Sequence, residues 1–299
     1  MKKSGKRILS LRAVYGIFVM SKFFSRYYRK KEGSFLKKRV ISAVVLLLVS
    51  FTCVLLSPVS RVLFFAAAGV LCAYEYSKNV EKLEAACTLW VMVSYFVLQA
   101  LCIFLKLGLL AQVVVFVFCL YLALFSGVLH RKVSGKGALF TLAGLCYPCL
   151  LFGVIMSISV CDIWVETLVL GCLATWVCDS FALFGGMLFG KHKVAPDVSP
   201  NKTIEGCVCG AVSSVLTGVL VCWLSRFYAP LPMWLCIVTA LVASTMGQIG
   251  DLAESLMKRM IGVKDFSNLI PGHGGMFDRA DSLLFSIPTA YLCLRLAGL

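Results

Sequence analysis

Long apolar stretches are the feature that most limits how this 299-residue chain can fold. A helix needs about 20 mostly apolar residues to cross a bilayer, because the hydrocarbon core is roughly 30 Å thick. Nine such stretches are present, and two of them, 62–77 and 282–298, are short. The sequence therefore predicts an all-α, polytopic integral membrane protein with eight or nine transmembrane helices. The stretches are 40–57, 62–77, 85–105, 107–129, 138–160, 165–189, 207–225, 233–250 and 282–298.

The composition supports a membrane protein. Charged residues make up 14% of the chain, whereas soluble domains contain roughly 25%. The 15 cysteines are mostly scattered through apolar stretches. One C-x-x-C pair, Cys146 and Cys149, lacks the βαβ pattern of a thioredoxin-like redox motif, so we interpret these cysteines as small buried side chains.

The positive charge is distributed unevenly. If all nine stretches span, 25 of the 29 Lys and Arg lie on one side, in the amino-terminal arm and the alternate loops. This bias predicts a multi-pass protein of the cell inner (plasma) membrane whose amino terminus and long polar loops are cytoplasmic. The net charge of +15 is then explained by topology and anionic lipid, and no nucleic-acid partner is predicted.

The polar residues divide the chain into three parts. Residues 1–39 form a basic arm suited to the membrane surface. Residues 40–164 are predicted to be a scaffold of about five helices with little chemistry. Residues 165–299 hold a candidate catalytic domain, with cytoplasmic loops 190–206 and 251–281 forming a polar cleft.

Acidic side chains concentrate in the last of these loops. If 251–263 is helical, Asp251, Glu254 and Lys258 share one face. Asp278 and Asp281 follow the glycine-rich sequence PGHGG at helical spacing, and such backbone can present N–H groups to a phosphate. A solvated helix face, or acids placed for the helix dipole, would give the same pattern.

Taken together, these acids favour a metal site. The prediction is that Asp251 meets Asp278. Bringing these two carboxylates to 4 Å would cost about 4 kcal/mol at an effective dielectric of 20, and a shared divalent cation turns that cost into binding. Mg²⁺ typically takes one or two carboxylates and shares a substrate's phosphates. Four nearby cations would suit a polyphosphate: Lys258, Arg259, Lys264 and Arg279.

Two further polar features lie upstream. In SPNKTIEG (199–206), Ser199 and Lys202 are candidate phosphate contacts, although TIEG also fits a simple helix start. Asp179 lies within an apolar stretch, where an acid indicates a functional site by default. We interpret Asp179 as part of the polar cleft.

The stretches CDSFALFGGMLFGKHKVAPDVSPNKTIEG (178–206) and SLMKRMIGVKDFSNLIPGHGGMFDRAD (255–281) resemble the signature of the phosphatidate cytidylyltransferases. The resemblance implies that CTP and phosphatidic acid react to give CDP-diacylglycerol and pyrophosphate with Mg²⁺, and that the protein is a homodimer. The binding of a second cation besides Mg²⁺ is left as an open alternative. The resemblance implies that Asp251 and Asp278 are the metal ligands, and the DRAD spacing adds Asp281 as a further predicted ligand. The predicted catalytic residues are Asp251, Asp278, Lys258 and Lys202. The resemblance implies phosphate contacts from Ser199, Lys202, Lys258 and the GHGG turn. The full set of predicted substrate contacts is Asp179, Ser199, Lys202, Thr203, Glu205, Arg259, Lys264, Asp265, His273, Gly274, Gly275 and Arg279.

Two other functions remain as alternatives. One is a related membrane nucleotidyltransferase that acts on a different lipid phosphate. The other is a transporter that uses Asp179 as its ion site. A transporter would need polar residues on several helices at the membrane midplane, and the first five stretches lack them.

Overall fold

The computed structural model describes residues 41–129, 135–226, 230–269 and 274–299. The predicted surface arm, 1–39, and His273 lie outside the described residues. The described chain is almost entirely helical, which confirms the α-helical class. The first half contains α1 (Ile41–Leu56), α2 (Pro58–Val80), α3 (Leu89–Phe104), α4 (Gly108–Leu129), α5 (Gly135–Gly144) and α6 (Leu150–Ile158). The second half contains α7 (Trp164–Phe189), β1 (Lys193–Ala195), β2 (Ser199–Thr203), α8 (Ile204–Ser225), α9 (Met233–Ile261) and α10 (Phe277–Leu296).

Within the described residues, six helical segments are long and apolar enough to cross a membrane. They are α2 with the short 3₁₀ turn that follows it, α4, α5 continued into α6, α7, α8 and α9. The shorter α1 and α3 fall below that length. The first turns of α10 carry Asp278, Arg279 and Asp281, so its start is too polar for a typical span. The exact number of spans, eight or nine, stays a prediction.

Local sequence explains where several helices begin and end. Ser57 and Ser60 form a reciprocal capping box at the start of α2, and Pro58 occupies the first helical position. Thr203 caps α8 by accepting the N–H of Gly206 at 3.1 Å. Gly262 ends α9 in the left-handed conformation, with φ of +77°, which glycine adopts without strain.

Two apolar cores hold the helices together. The first is built from α2 to α6 and takes Phe277, Leu284 and Ile287 from α10. The second lies among α7, α8 and α9 and takes Ala290 and Leu294 from α10. Because α10 contributes to both cores, it fixes the carboxy-terminal helices against the amino-terminal ones.

The helices α8 and α9 are in close contact at Gly218. A Cβ at this position would lie 2.7 Å from the carbonyl oxygen of Cys236 and 2.7 Å from the Cα of Ile237. Real Cβ atoms do not approach backbone so closely, and the backbone cannot rotate away as a flexible side chain can. The contact therefore requires glycine.

Gly218→Ala is expected to destabilise the protein by about 1–3 kcal/mol, the usual effect of overpacking. The change should appear as a lower melting temperature of the detergent-solubilised protein. The matched control is Gly135→Ala, because a Cβ on Gly135 meets nothing within 4 Å. Equal melting temperatures for the two variants would contradict the close approach.

Candidate active site

A polar cavity of about 780 Å³ lies where the carboxyl ends of α7 and α9 meet the start of α10 and the β-hairpin. One wall is apolar and comes from Trp176, Leu183 and Met187 of α7, all of which are exposed. Most of the charged part of the lining comes from α9 and α10, together with Asp179 of α7. The cavity therefore joins a charged surface to a surface that lipid can cover.

Three carboxylates meet at this site: Asp251 and Glu254 of α9, and Asp281 of α10. Asp251 and Asp281 border the cavity, whereas Glu254 is fully buried. One ligand oxygen from each lies within 4.8 Å of the others, which is close enough to hold one metal ion. We call these three residues the acid cluster. The sequence predicted that Asp251 would meet Asp278. In the structure the acid of α10 that joins Asp251 and Glu254 is Asp281, which was predicted only as a further ligand.

Close helix packing brings the acid cluster together. A Cβ on Gly250 would lie 2.7 Å from the backbone oxygen of Asp281 and 2.6 Å from the ring of Phe285. Because glycine occupies this position, α9 and α10 can approach at the level of Asp251, the next residue along the chain. Asp251 and Glu254 then lie on one face of α9, as their i, i+3 spacing predicts.

The surroundings of Glu254 show whether the acid cluster suits a cation. Its side chain is fully buried; Oε2 contacts the ammonium of Lys258, and Oε1 has no hydrogen-bond partner among the described residues. A buried carboxylate oxygen without a partner is costly, and a cation bound to it would remove that cost. All three residues of the acid cluster offer carboxylate oxygens as metal ligands, which suits a hard cation such as Mg²⁺. The residues therefore fit a divalent cation.

Two lysines neutralise the acids in this structure. The ammonium of Lys202, from β2, lies 2.5 Å from Oδ2 of Asp251. The ammonium of Lys258 contacts Glu254 and lies 3.1 Å from Oδ1 of Asp278. Both lysines border the cavity, so each contacts an acid and also faces the space that a substrate would occupy.

Asp278 is held by the backbone beside the acid cluster. Its Oδ2 accepts the N–H of Phe266 at 3.0 Å and the N–H of Gly275 at 2.9 Å. Its Oδ1 accepts the hydrogen bond from Lys258. Asp278 is thus linked to Glu254 through the Lys258 ammonium, and its assignment as a metal ligand stays a prediction.

The 190–206 loop folds into an antiparallel hairpin at the cavity rim. Lys193 pairs with Thr203 and Ala195 with Ser199. Glu205 joins the two ends of the hairpin. Its carboxylate accepts hydrogen bonds from the backbone N–H groups of Lys191 and His192 and contacts the His192 ring at 2.6 Å. The hairpin therefore carries Lys202 on a fixed strand.

The chain is also similar to known proteins. Residues 37–297 match the model of the cytidylyltransferase family. The chain belongs to the cytidylyltransferase family. The match covers most of the chain, so the family predicted from 178–206 and 255–281 is confirmed.

Individual proteins of this family are similar to the chain over a shorter region. The chain is 42% identical over 122 residues to a phosphatidate cytidylyltransferase of Staphylococcus haemolyticus, covering 41% of the chain and 46% of the relative. It is 42% identical over 125 residues to the enzyme of that name from Bacillus subtilis, covering 42% of the chain and 46% of the relative. These alignments thus span about half the length of the curated relatives that the chain matches.

The residues predicted for a cytidylyltransferase site fall into two sets. The first set borders the cavity: Asp179, Lys202, Thr203, Asp251, Lys258, Asp265, Asp278, Arg279 and Asp281. The second set is described but does not border it: Ser199, Glu205, Arg259, Lys264, Gly274 and Gly275. Arg259 instead donates to the backbone oxygen of Val198, and so it fastens the hairpin to α9. His273 lies outside the described residues.

Sequence reasoning missed several residues of the site. Lys193 and Asn201 border the cavity from the hairpin, and Glu254 completes the acid cluster. Glu254 carried a signal, because it lies three residues after Asp251 on the same helical face. Glu75 of α2 also reaches the polar loop before α10, and an acid within an apolar stretch is itself a signal.

Proposed function

We propose that this chain transfers the cytidylyl group of CTP to the phosphate of phosphatidate, giving CDP-diacylglycerol and pyrophosphate. The observation that carries the proposal is the acid cluster, set among Lys202, Lys258 and Arg279 in a cavity with one apolar wall. A nucleoside triphosphate needs such cations, and a lipid substrate needs such a wall. The curated relatives bear the name of this activity.

In this proposal the acid cluster holds Mg²⁺. The bound ion would supply positive charge to the phosphate oxygens of the nucleotide and stabilise the negative charge that develops in phosphoryl-group transfer. Asp251 would then exchange its contact with Lys202 for the cation. Lys202 is thereby released toward the cavity, where its ammonium can bind a phosphate of the substrate.

The remaining chemistry needs no general base. The phosphate of phosphatidate is already an anion at neutral pH, and one of its oxygens attacks the α-phosphorus of CTP. A new phosphorus–oxygen bond forms, the bond between the α-phosphorus and the bridging oxygen breaks, and pyrophosphate leaves with that electron pair. Lys258 and Arg279 would bind the departing negative charge, and the fixed hairpin would orient the two anions.

The membrane position follows from the same proposal. The exposed apolar side chains of α7 would contact the acyl chains, which stay in the bilayer while the phosphate enters the cavity. The excess of Lys and Arg in the polar loops supports a cavity on the cytoplasmic side, where CTP is available. A homodimer and a second cation also stay predictions.

The test is a product assay on the purified chain in detergent. We expect labelled CTP, phosphatidate and Mg²⁺ to yield CDP-diacylglycerol, and we expect EDTA to abolish the product. ATP, GTP and UTP should each give much less product than CTP. Failure to form a CDP-lipid from CTP would reject the proposed reaction. A greater yield from another lipid phosphate would favour the related nucleotidyltransferase.

A further inference from the structure

Glu75 is a buried acid that the proposed reaction does not use. It lies near the carboxyl end of α2, far along the chain from the acid cluster, and only 3% of its surface is exposed. Its carboxylate accepts the hydroxyl of Ser267 at 2.5 Å and the backbone N–H groups of Met276 at 3.0 Å and Phe277 at 2.9 Å. Three hydrogen-bond donors to one buried carboxylate fix the position of that side chain.

The two backbone donors are the first N–H groups of α10. Met276 is the N-cap residue of that helix, and its own side chain makes no capping hydrogen bond. Because the amino end of a helix carries partial positive charge and unpaired N–H groups, an acid placed there stabilises the helix start. Glu75 therefore caps α10 from a different helix, immediately before the two turns that bear Asp278 and Asp281.

A second contact from α2 reaches the same site. Asn79, one turn after Glu75, donates its amide to the backbone oxygen of Phe266 at 2.5 Å. The N–H of Phe266 in turn donates to Asp278, whose other oxygen accepts from Lys258. The chain of contacts then reaches Glu254, because Lys258 also pairs with that acid.

The packing around Glu75 leaves little freedom. A Cβ on Gly275 would lie 2.6 Å from Oε2 of Glu75 and 3.0 Å from Oδ2 of Asp278. The two carboxylates thus flank a single glycine of the polar loop. Any movement of the Glu75 carboxylate would shift the backbone that holds Asp278.

We propose that Glu75 is a positioning residue for the acid cluster, fixing α10 so that Asp281 reaches Asp251 and Glu254. The proposal rests on the proposed function for its biological meaning, but it concerns metal affinity and can be tested without turnover. It also assigns a role in the site to the amino-terminal helices, which were predicted to be scaffold alone.

The test measures Mn²⁺ binding to the purified full-length protein in detergent by electron paramagnetic resonance, without nucleotide or lipid. Glu75→Gln keeps the size of the side chain but loses its charge and one acceptor. We expect its dissociation constant for Mn²⁺ to rise about tenfold or more, as for other residues that orient metal ligands. The half-saturating Mg²⁺ concentration in the product assay should rise in parallel. A merely less stable protein would lose active molecules without changing either constant.

The matched control is Glu81→Gln, since Glu81 is exposed and lies one and a half turns further along the same chain segment. It should bind Mn²⁺ as the wild type does. If Glu75→Gln does not fold, Ser267→Ala decides the matter, because it removes one donor to Glu75 and leaves the acid in place. We then expect affinity to fall about threefold, the worth of a single hydrogen bond.

Wild-type Mn²⁺ affinity in folded Glu75→Gln, or in Ser267→Ala where that variant decides, would overturn the inference. A wild-type protein that binds Mn²⁺ but forms no CDP-lipid would reject the proposed reaction instead. In that case the role of Glu75 is judged on the Mn²⁺ affinities alone, so the two failures are distinguishable.

Discussion

Asp251→Asn and Asp281→Asn are each expected to lower kcat/KM for CDP-diacylglycerol formation by about a thousandfold. Each change removes one carboxylate from a cluster whose ligand oxygens lie within 4.8 Å of one another. The charge that a metal ion contributes to a transition state is worth several kcal/mol, and each 1.4 kcal/mol corresponds to a factor of ten in rate. The loss should persist at saturating CTP, because Mg²⁺ binding itself is impaired.

The measurement is the Mg²⁺ dependence of initial rates for each purified variant, together with Mn²⁺ binding. The control is Asp197→Asn, because Asp197 is an exposed acid in the turn of the same hairpin that carries Lys202. It should retain wild-type rates. If either cluster variant kept more than a tenth of the wild-type kcat/KM, the acid cluster would not be the metal site.

The apolar stretches predicted most of the helices because each span must satisfy its backbone hydrogen bonds within one segment. The start of α10 differs from the prediction for a physical reason. Its first two turns carry Asp278 and Asp281, so hydropathy alone places the start at 282, whereas the helix begins at Phe277. The hairpin within 190–206 was not predicted either, because strands this short show no hydrophobic periodicity in the sequence.

The site could be predicted as a set of residue types but not as a set of contacts. Helical spacing placed Asp251, Glu254 and Lys258 on one face, and the structure confirms it. The choice of Asp281 over Asp278 as the third member of the acid cluster depends on how α9 and α10 pack at Gly250. Likewise, the contact from Glu75 to Met276 and Phe277 joins residues about 200 positions apart. Local sequence does not specify such long-range contacts.

Lys258 is the residue whose removal should harm both stability and catalysis. Its ammonium lies between Glu254, which is fully buried, and Asp278, whose side chain is 2% exposed. Removing one partner of a buried ion pair leaves the other charge uncompensated, which costs about 3–5 kcal/mol. We therefore expect Lys258→Met to lower the melting temperature strongly and to lower kcat/KM by at least about a hundredfold, the scale for losing one electrostatic contact in the transition state.

A double variant separates these two effects. Lys258→Met combined with Glu254→Gln removes the uncompensated charge of Glu254, so much of the lost stability should return, as expected for residues in direct contact. Activity should not return, because both the phosphate-binding cation and one acid of the cluster are then missing. Lys191→Met is the control, since Lys191 is exposed at the same end of the molecule. If the double variant were no more stable than Lys258→Met, Lys258 would not be neutralising Glu254. If Lys258→Met kept wild-type activity, its ammonium would not bind the substrate phosphates.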